Sequence, residues 1–157
     1  QSLWDASNHK KYHDPEISVE ELMIEKIGFE IELAQPYEAV VDLVTQALKA
    51  EGFGVLTAID VQATLKKKLD ADFHPYVILG ACNPSLAHKA LSTAPEVGMM
   101  LPCNVTVEAS ETGGAIVRIL DPKVMMGFGG FADNPALSEV AADAHAKLVR
   151  VAEALST

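Results

Sequence analysis

Cysteine is scarce in this sequence: the 157 residues contain only Cys82 and Cys103. Two thiols cannot build a disulfide scaffold or a closed structural zinc site, so the fold must depend on a hydrophobic core. A chain of this length can bury one. Reduced thiols are typical of the cytoplasm, where we expect the protein; an exported location stays open because residues upstream of Gln1 are missing.

Positive charge is also scarce, with 12 Lys and Arg residues against 22 Asp and Glu residues and a net charge of −10. Such a chain repels a phosphate backbone, so we expect no nucleic-acid partner. The one basic run, residues 66–68, is followed by Asp70 and Asp72. This arrangement indicates a solvent-exposed helix face rather than a nucleic-acid site.

Long apolar runs and catalytic motifs are missing as well. No run reaches the ~18 apolar residues that a transmembrane helix needs, so we expect no membrane contact. The sequence holds no CxxC, HExxH, Walker-type or GxSxG motif. A binding module is therefore favoured over an enzyme.

The first 24 residues are polar and show no apolar periodicity, apart from the aromatic residues Trp4 and Tyr12. We interpret residues 1–24 as an N-terminal extension that either docks through these two side chains or stays mobile. Residues 25–157 contain enough apolar residues for one folded domain.

Apolar periodicity predicts the elements of this domain. Alternation at 25–33 and 103–109 indicates strands with one solvent-facing side, and residues 111–114 are typical of a hairpin turn. Asn83-Pro84 and Asn134-Pro135 are typical helix starts, with asparagine as the cap. The predicted strands are 25–33, 53–59, 74–81, 103–109 and 115–120, and the predicted helices are 36–50, 61–69, 84–93 and 135–155.

This order, β-α-β-(α)-β-α-β-β-α, predicts an α+β domain in which helices cover one face of a mostly antiparallel sheet. The strand at 74–81 is apolar on both faces, which indicates a central position. The segment KVMMGFGGFAD at 123–133 is rich in Gly, Met and Phe. We interpret the segment as flexible, and the glycines of residues 127–131 as a hinge or lid over an apolar cleft.

Three short motifs occur in order along the chain: ACNP at 81–84, LPC at 101–103 and DP at 121–122, after the block EGFGVLTAIDVQATLKKKL at 51–69. With them the chain resembles the domain of unknown function 302 family over roughly residues 26–155. The resemblance implies a compact α+β domain of the TATA-binding-protein half-domain type, often homodimeric, with no established activity. The motif positions it carries over are Asn83, Pro84, Pro102, Asp121 and Pro122, and both cysteines match a branch of the family with a thiol at each place.

The two cysteines are the first candidates for chemistry. Cys82 lies just before a predicted helix N-terminus, whose free N–H groups stabilise a thiolate. The alternative is a small buried side chain at a strand end. The return loop before Cys103 is long enough to bring the two residues together, although nothing in the sequence requires it.

A soft-metal site is possible if His88, on the helix after Cys82, faces both thiols. The candidate ligands are then Cys82, Cys103 and His88. Paired methionines at 99–100 and 125–126 would suit Cu(I), but they also suit flexible packing. We predict no cofactor apart from such an ion.

We expect a soluble binding or accessory module, homodimeric, that takes a small molecule or a protein partner between the sheet and the loops 82–86, 97–103 and 121–131. The candidate ligand-binding residues are Cys82, Asn83, Pro84, Pro102, Cys103, Asp121 and Phe128. The alternative is a thiol-based redox or soft-metal protein using both cysteines. A third hypothesis is a hydrolase that uses Asp121 and His145.

Overall fold

A computed structural model describes residue 18, residues 23–24 and residues 27–157. Most of the predicted extension at 1–24 therefore lies outside the described residues. The strands are β1 (Met23–Ile24), β2 (Gly28–Leu33), β3 (Gly54–Asp60), β4 (Tyr76–Cys82), β5 (Cys103–Ala109) and β6 (Ala115–Leu120). The helices are α1 (Tyr37–Ala50), α2 (Val61–Leu69), α3 (Pro84–Thr93), α4 (Pro122–Met126) and α5 (Pro135–Leu155), with 3-10 turns at Pro95–Met100 and Phe131–Asp133.

The strands form one antiparallel sheet in the order β1-β2-β6-β5-β4-β3. Strands β3 to β6 follow one another as a meander, and α1 carries the chain from β2 on one side of the sheet to β3 on the far edge. The predicted α+β class and the order of its elements are confirmed. The two-residue strand β1, which pairs with β2, was not predicted because so short a strand has no periodicity.

One face of the sheet carries the hydrophobic core. On β2, Phe29, Ile31 and Leu33 are buried, and the residues between them, Glu30 and Glu32, point to the other face. Helix α5 packs against β2 and against the other core helices, and eight of its side chains are buried. The alternating apolar side chains of the strands and the apolar side chains spaced three or four residues apart along α5 therefore pack together in one layer.

Side-chain caps start the helices that follow β4 and β6. The Asn83 side chain accepts a hydrogen bond from the Leu86 N–H at 3.2 Å, and Asn134 accepts one from the Ala136 N–H at 2.9 Å. Asp121 accepts one from the Lys123 N–H at 2.9 Å. In all three cases proline occupies the first helical position, where its missing N–H costs nothing.

Two segments differ from the prediction. The Gly/Met/Phe segment begins with the short helix α4, because Asp121 caps it and its Met125 and Met126 side chains are buried. Strand β4 lies next to the edge strand β3 instead of at the centre, and it extends one residue further than predicted, to Cys82.

Of the helices in the described ranges, none combines the length and apolarity needed to cross a bilayer.

Candidate functional site

The structure brings the two thiols into one cavity. Strands β4 and β5 pair antiparallel with Ala81 opposite Cys103, so the end of β4 and the start of β5 are neighbours. Cys82 and Cys103 are both free and both line a cavity of about 40 Å³. Both thiols therefore line the same cavity, an arrangement that the sequence permits but does not require.

A glycine allows the return loop to lie close to β4 at this point. Pro102 packs over Gly80, where an added Cβ would lie only 2.7 Å from Pro102 Cγ. Any larger residue at this position would push the loop away from the strand. This close contact of the Pro102 ring with Gly80 keeps the neighbouring Cys103 beside the end of β4.

Three helices close the cavity over the thiols. Small side chains on α5, Ala141 and Ala144, leave room for it, and Met125 and Met126 of α4 fill its side. Asn83 contributes the one amide, but its side-chain oxygen already accepts the Leu86 N–H. The lining residues are Phe53, Ala81, Cys82, Asn83, Leu86, Ala87, Ala90, Leu101, Cys103, Pro122, Met125, Met126, Val140, Ala141 and Ala144.

The two thiols differ in their surroundings. Cys103 is buried and Cys82 is half-buried. Burial, and to a smaller extent the neighbouring Cys82, raises the pKa of Cys103 to about 11 from its ordinary value of 9.0. Cys103 is therefore protonated at neutral pH and is a poor nucleophile while the cavity stays as it is.

His88 does not join the thiols. On α3, Leu86 and Ala90 face the cavity, and His88 between them lies on the far side of the helix, since two residues turn a helix by about 200°. It lines a separate groove between α3 and α5 with Lys89, Glu139 and Asp143. Across the part of the chain that the structure describes, no three His, Cys, Asp or Glu residues are grouped as metal ligands. The predicted ligand set of Cys82, Cys103 and His88 is therefore not assembled.

A second, larger groove opens beside the thiol cavity. Its volume is about 410 Å³, and its lining residues are Ile27, Met99, Met100, Leu101, Pro102, Asn104, Leu120, Val124, Met125 and Phe128. We call it the methionine groove. Met99 and Phe128 are exposed to 82% and 63%, and Leu101 and Met125 line both the groove and the cavity.

Asp121 forms a separate buried contact with His145. Its Oδ1 lies 2.8 Å from Nδ1 of His145, and its backbone N–H donates to the Ile27 carbonyl at 2.9 Å. The His145 ring also packs against Phe29, with 5.9 Å between the ring centroids. The pair attaches α5 to the corner between β6 and α4, which is a positioning role rather than the nucleophile activation that a hydrolase needs.

The predicted site residues thus fall into distinct places. Cys82, Asn83 and Cys103 line the cavity, Pro102 and Phe128 line the methionine groove, Pro84 is the first residue of α3, and Asp121 caps α4. Met125 and Met126 also line the cavity; the sequence suggested them as residues suited to Cu(I) or to flexible packing, but did not place them among the candidate site residues. Asp121-Pro122 repeats the asparagine-proline helix start found twice elsewhere, and this signal predicts α4.

Comparisons with known proteins agree with this architecture. A family model described as "Domain of unknown function DUF302" matches residues 29–155. A crystal structure of an uncharacterized conserved protein DUF302 from Bacillus stearothermophilus superposes on this chain with a TM-score of 0.72. The two sequences are 30% identical, and the match covers 82% of this chain and 98% of the other chain. No curated protein matches the chain.

The raised pKa of Cys103 predicts slow alkylation. In a Cys82→Ser variant at pH 8, iodoacetamide should modify Cys103 roughly 10- to 100-fold more slowly in the folded protein than in urea, because burial, the larger cause of its raised pKa, remains when Cys82 is replaced. The rate in the folded protein should increase as the pH approaches 11. Mass spectrometry follows both reactions, and equal rates in folded and unfolded protein would contradict the burial of this thiol.

Proposed function

The chain belongs to the DUF302 family, and from its geometry we propose that it is a binding module that takes a small apolar molecule in the methionine groove. The observation that carries the proposal is the pair of large apolar side chains, Met99 and Phe128, left in solvent at the rim of a 410 Å³ groove. Exposed apolar surface at a concave site is typical of binding surfaces.

The composition of the groove supports binding rather than chemistry. Among the described residues that line it, none is titratable, so the groove offers no acid, base or nucleophile. Methionine side chains adapt to ligands of different shape because they are unbranched and polarizable. Asn104 supplies the one polar side chain of the lining, which orients a ligand that carries a hydrogen-bonding group.

Removal of the Phe128 ring should weaken binding of an apolar probe. We expect Phe128→Ser to raise the Kd for N-phenyl-1-naphthylamine about tenfold, because burial of an aromatic side chain against a ligand contributes about 1.4 kcal/mol or more. Fluorescence titration measures the Kd. The matched control is Leu69→Ser, since Leu69 is 70% exposed on α2 and lies outside the groove lining. Equal Kd values in both variants would refute the proposal.

We also propose that two copies of the chain form a homodimer through the edge strand β3. An edge strand has backbone N–H and C=O groups without a strand partner, and an antiparallel pairing of two β3 strands is self-complementary under twofold symmetry. Two large apolar side chains of β3, Leu56 and Ile59, are exposed. The irregular register between Val55 and Thr57 restricts regular pairing to the second half of the strand.

A charge on β3 should prevent this pairing. The Ile59→Lys variant should be monomeric at concentrations at which the wild-type chain is a dimer, because it replaces an exposed apolar side chain of the pairing strand by a positive charge that each copy would bring to the interface. Sedimentation equilibrium gives the mass of each species. Leu91→Lys, which changes an exposed leucine on α3, is the control and should stay dimeric. A wild-type monomer would disprove the dimer.

The shared cavity of Cys82 and Cys103 favours a second candidate function, thiol-based redox chemistry or soft-metal binding. A disulfide requires thiols that approach each other without backbone movement. The two cysteines line one cavity, and Cys82 is close enough to contribute to the raised pKa of Cys103. Cys82 is the more accessible of the two and therefore the expected attacking thiol.

Glutathione disulfide should convert the pair into an internal disulfide. Cys82 attacks the reagent and releases one glutathione, and Cys103 then displaces the second, so the two thiols lose two electrons and two protons and the reagent gains them. Mass spectrometry should show a chain lighter by two hydrogens. The Cys103→Ser variant should stop at the glutathione adduct. Stable adducts on the wild-type chain would count against a redox pair.

A further inference from the structure

Four sulfur-bearing side chains from three elements line the thiol cavity. Cys82 ends β4, Cys103 begins β5, and Met125 and Met126 are the last two residues of α4. Cys103 and both methionines are buried. Sequence spacing does not explain this convergence, because α4 follows Cys103 only after the whole β5–β6 hairpin.

We propose that this cavity binds one Cu(I) ion through the thiolates of Cys82 and Cys103 and the thioethers of Met125 and Met126. The proposal rests on the thiol-based candidate function and specifies its metal and its ligands. In this site the two methionines of α4 take the place of His88, which the sequence analysis named as a candidate ligand beside the two cysteines.

The donor atoms select a soft monovalent ion. Thiolate and thioether sulfur prefer Cu(I), whereas Mg²⁺ and Ca²⁺ require oxygen ligands. The one oxygen-bearing side chain of the lining, Asn83, uses its oxygen to cap α3. Structural zinc takes four Cys, His or carboxylate ligands, and the described residues near the thiols provide no third ligand of these types.

The size of the cavity fits an ion and excludes organic ligands. Its volume of about 40 Å³ exceeds the roughly 10–15 Å³ that one water needs. Ligand pockets for organic molecules are about ten times larger. The cavity and the methionine groove therefore serve different ligands, although they share Leu101 and Met125.

The charge of the occupied site is small. Two thiolates and one Cu(I) leave a single negative charge, and the two thiol protons go to the solvent. Cys82 directly precedes the Asn83 cap of α3, so the positive end of this helix lies beside the charge. The methionine groove shares Met125 with the cavity and carries the further thioethers of Met99 and Met100 in its lining, so it offers a route to the ion.

Competition with a chromogenic chelator tests the proposal. The reduced full-length chain is titrated anaerobically with Cu(I) in the presence of bathocuproine disulfonate, which reports the free ion. We expect one Cu(I) per chain. Cys82→Ser or Cys103→Ser should lower the affinity by about 100-fold, and Met125→Leu or Met126→Leu by about tenfold, because each removes one soft ligand. Leu69→Met, in an exposed side chain of α2 outside both the cavity and the methionine groove, is the matched control and should keep the wild-type affinity.

Leucine nearly conserves the volume of methionine, and thermal unfolding checks that each variant folds. X-ray absorption at the copper edge of the wild-type complex needs no variant, and it should show sulfur neighbours alone. Nitrogen or oxygen neighbours, or an unchanged affinity in the two methionine variants, would overturn the ligand set. An internal disulfide without any Cu(I) binding would overturn the metal proposal and leave the redox candidate intact.

Discussion

The antiparallel pairing of β4 with β5 is the interaction on which the candidate site depends. With Ala81 opposite Cys103, the pairing places one thiol at the end of the first strand and the other at the start of the second. A register shift by one residue would turn every side chain of β5 to the other face, and Cys103 would leave the core with Val105 and Val107. Burial of the alternating valines therefore determines where the thiol lies.

A buried carboxylate at the end of β6 supports the other half of the site. Asp121 accepts the Lys123 N–H that begins α4 and also contacts His145 of α5. An acidic side chain that is this deeply buried needs such partners, since a buried polar group without hydrogen bonds is costly. Through these contacts Asp121 positions the turn that carries Met125 and Met126, although it lines neither the cavity nor the methionine groove.

Much of the fold could be predicted from local patterns. The alternation in β2 and β5, the turn between β5 and β6, and the asparagine caps before α3 and α5 all match the structure, because each depends on residues close in sequence. The site was predicted less completely. Cys82, Cys103 and Phe128 lie at concave surfaces, whereas His88 faces another groove and α4 was interpreted as flexible.

The sequence by itself determined the α+β class and the residues at which the helices start. Its composition also shows that thiols and positive charge are scarce. Tertiary structure decided which side chains meet. Whether Cys82 reaches Cys103 depends on strand register and on the close contact of Pro102 with Gly80, and whether a helix residue joins them depends on the rotation of that helix against the sheet. These are long-range packing relations, set by the burial of the whole core, and no local spacing encodes them.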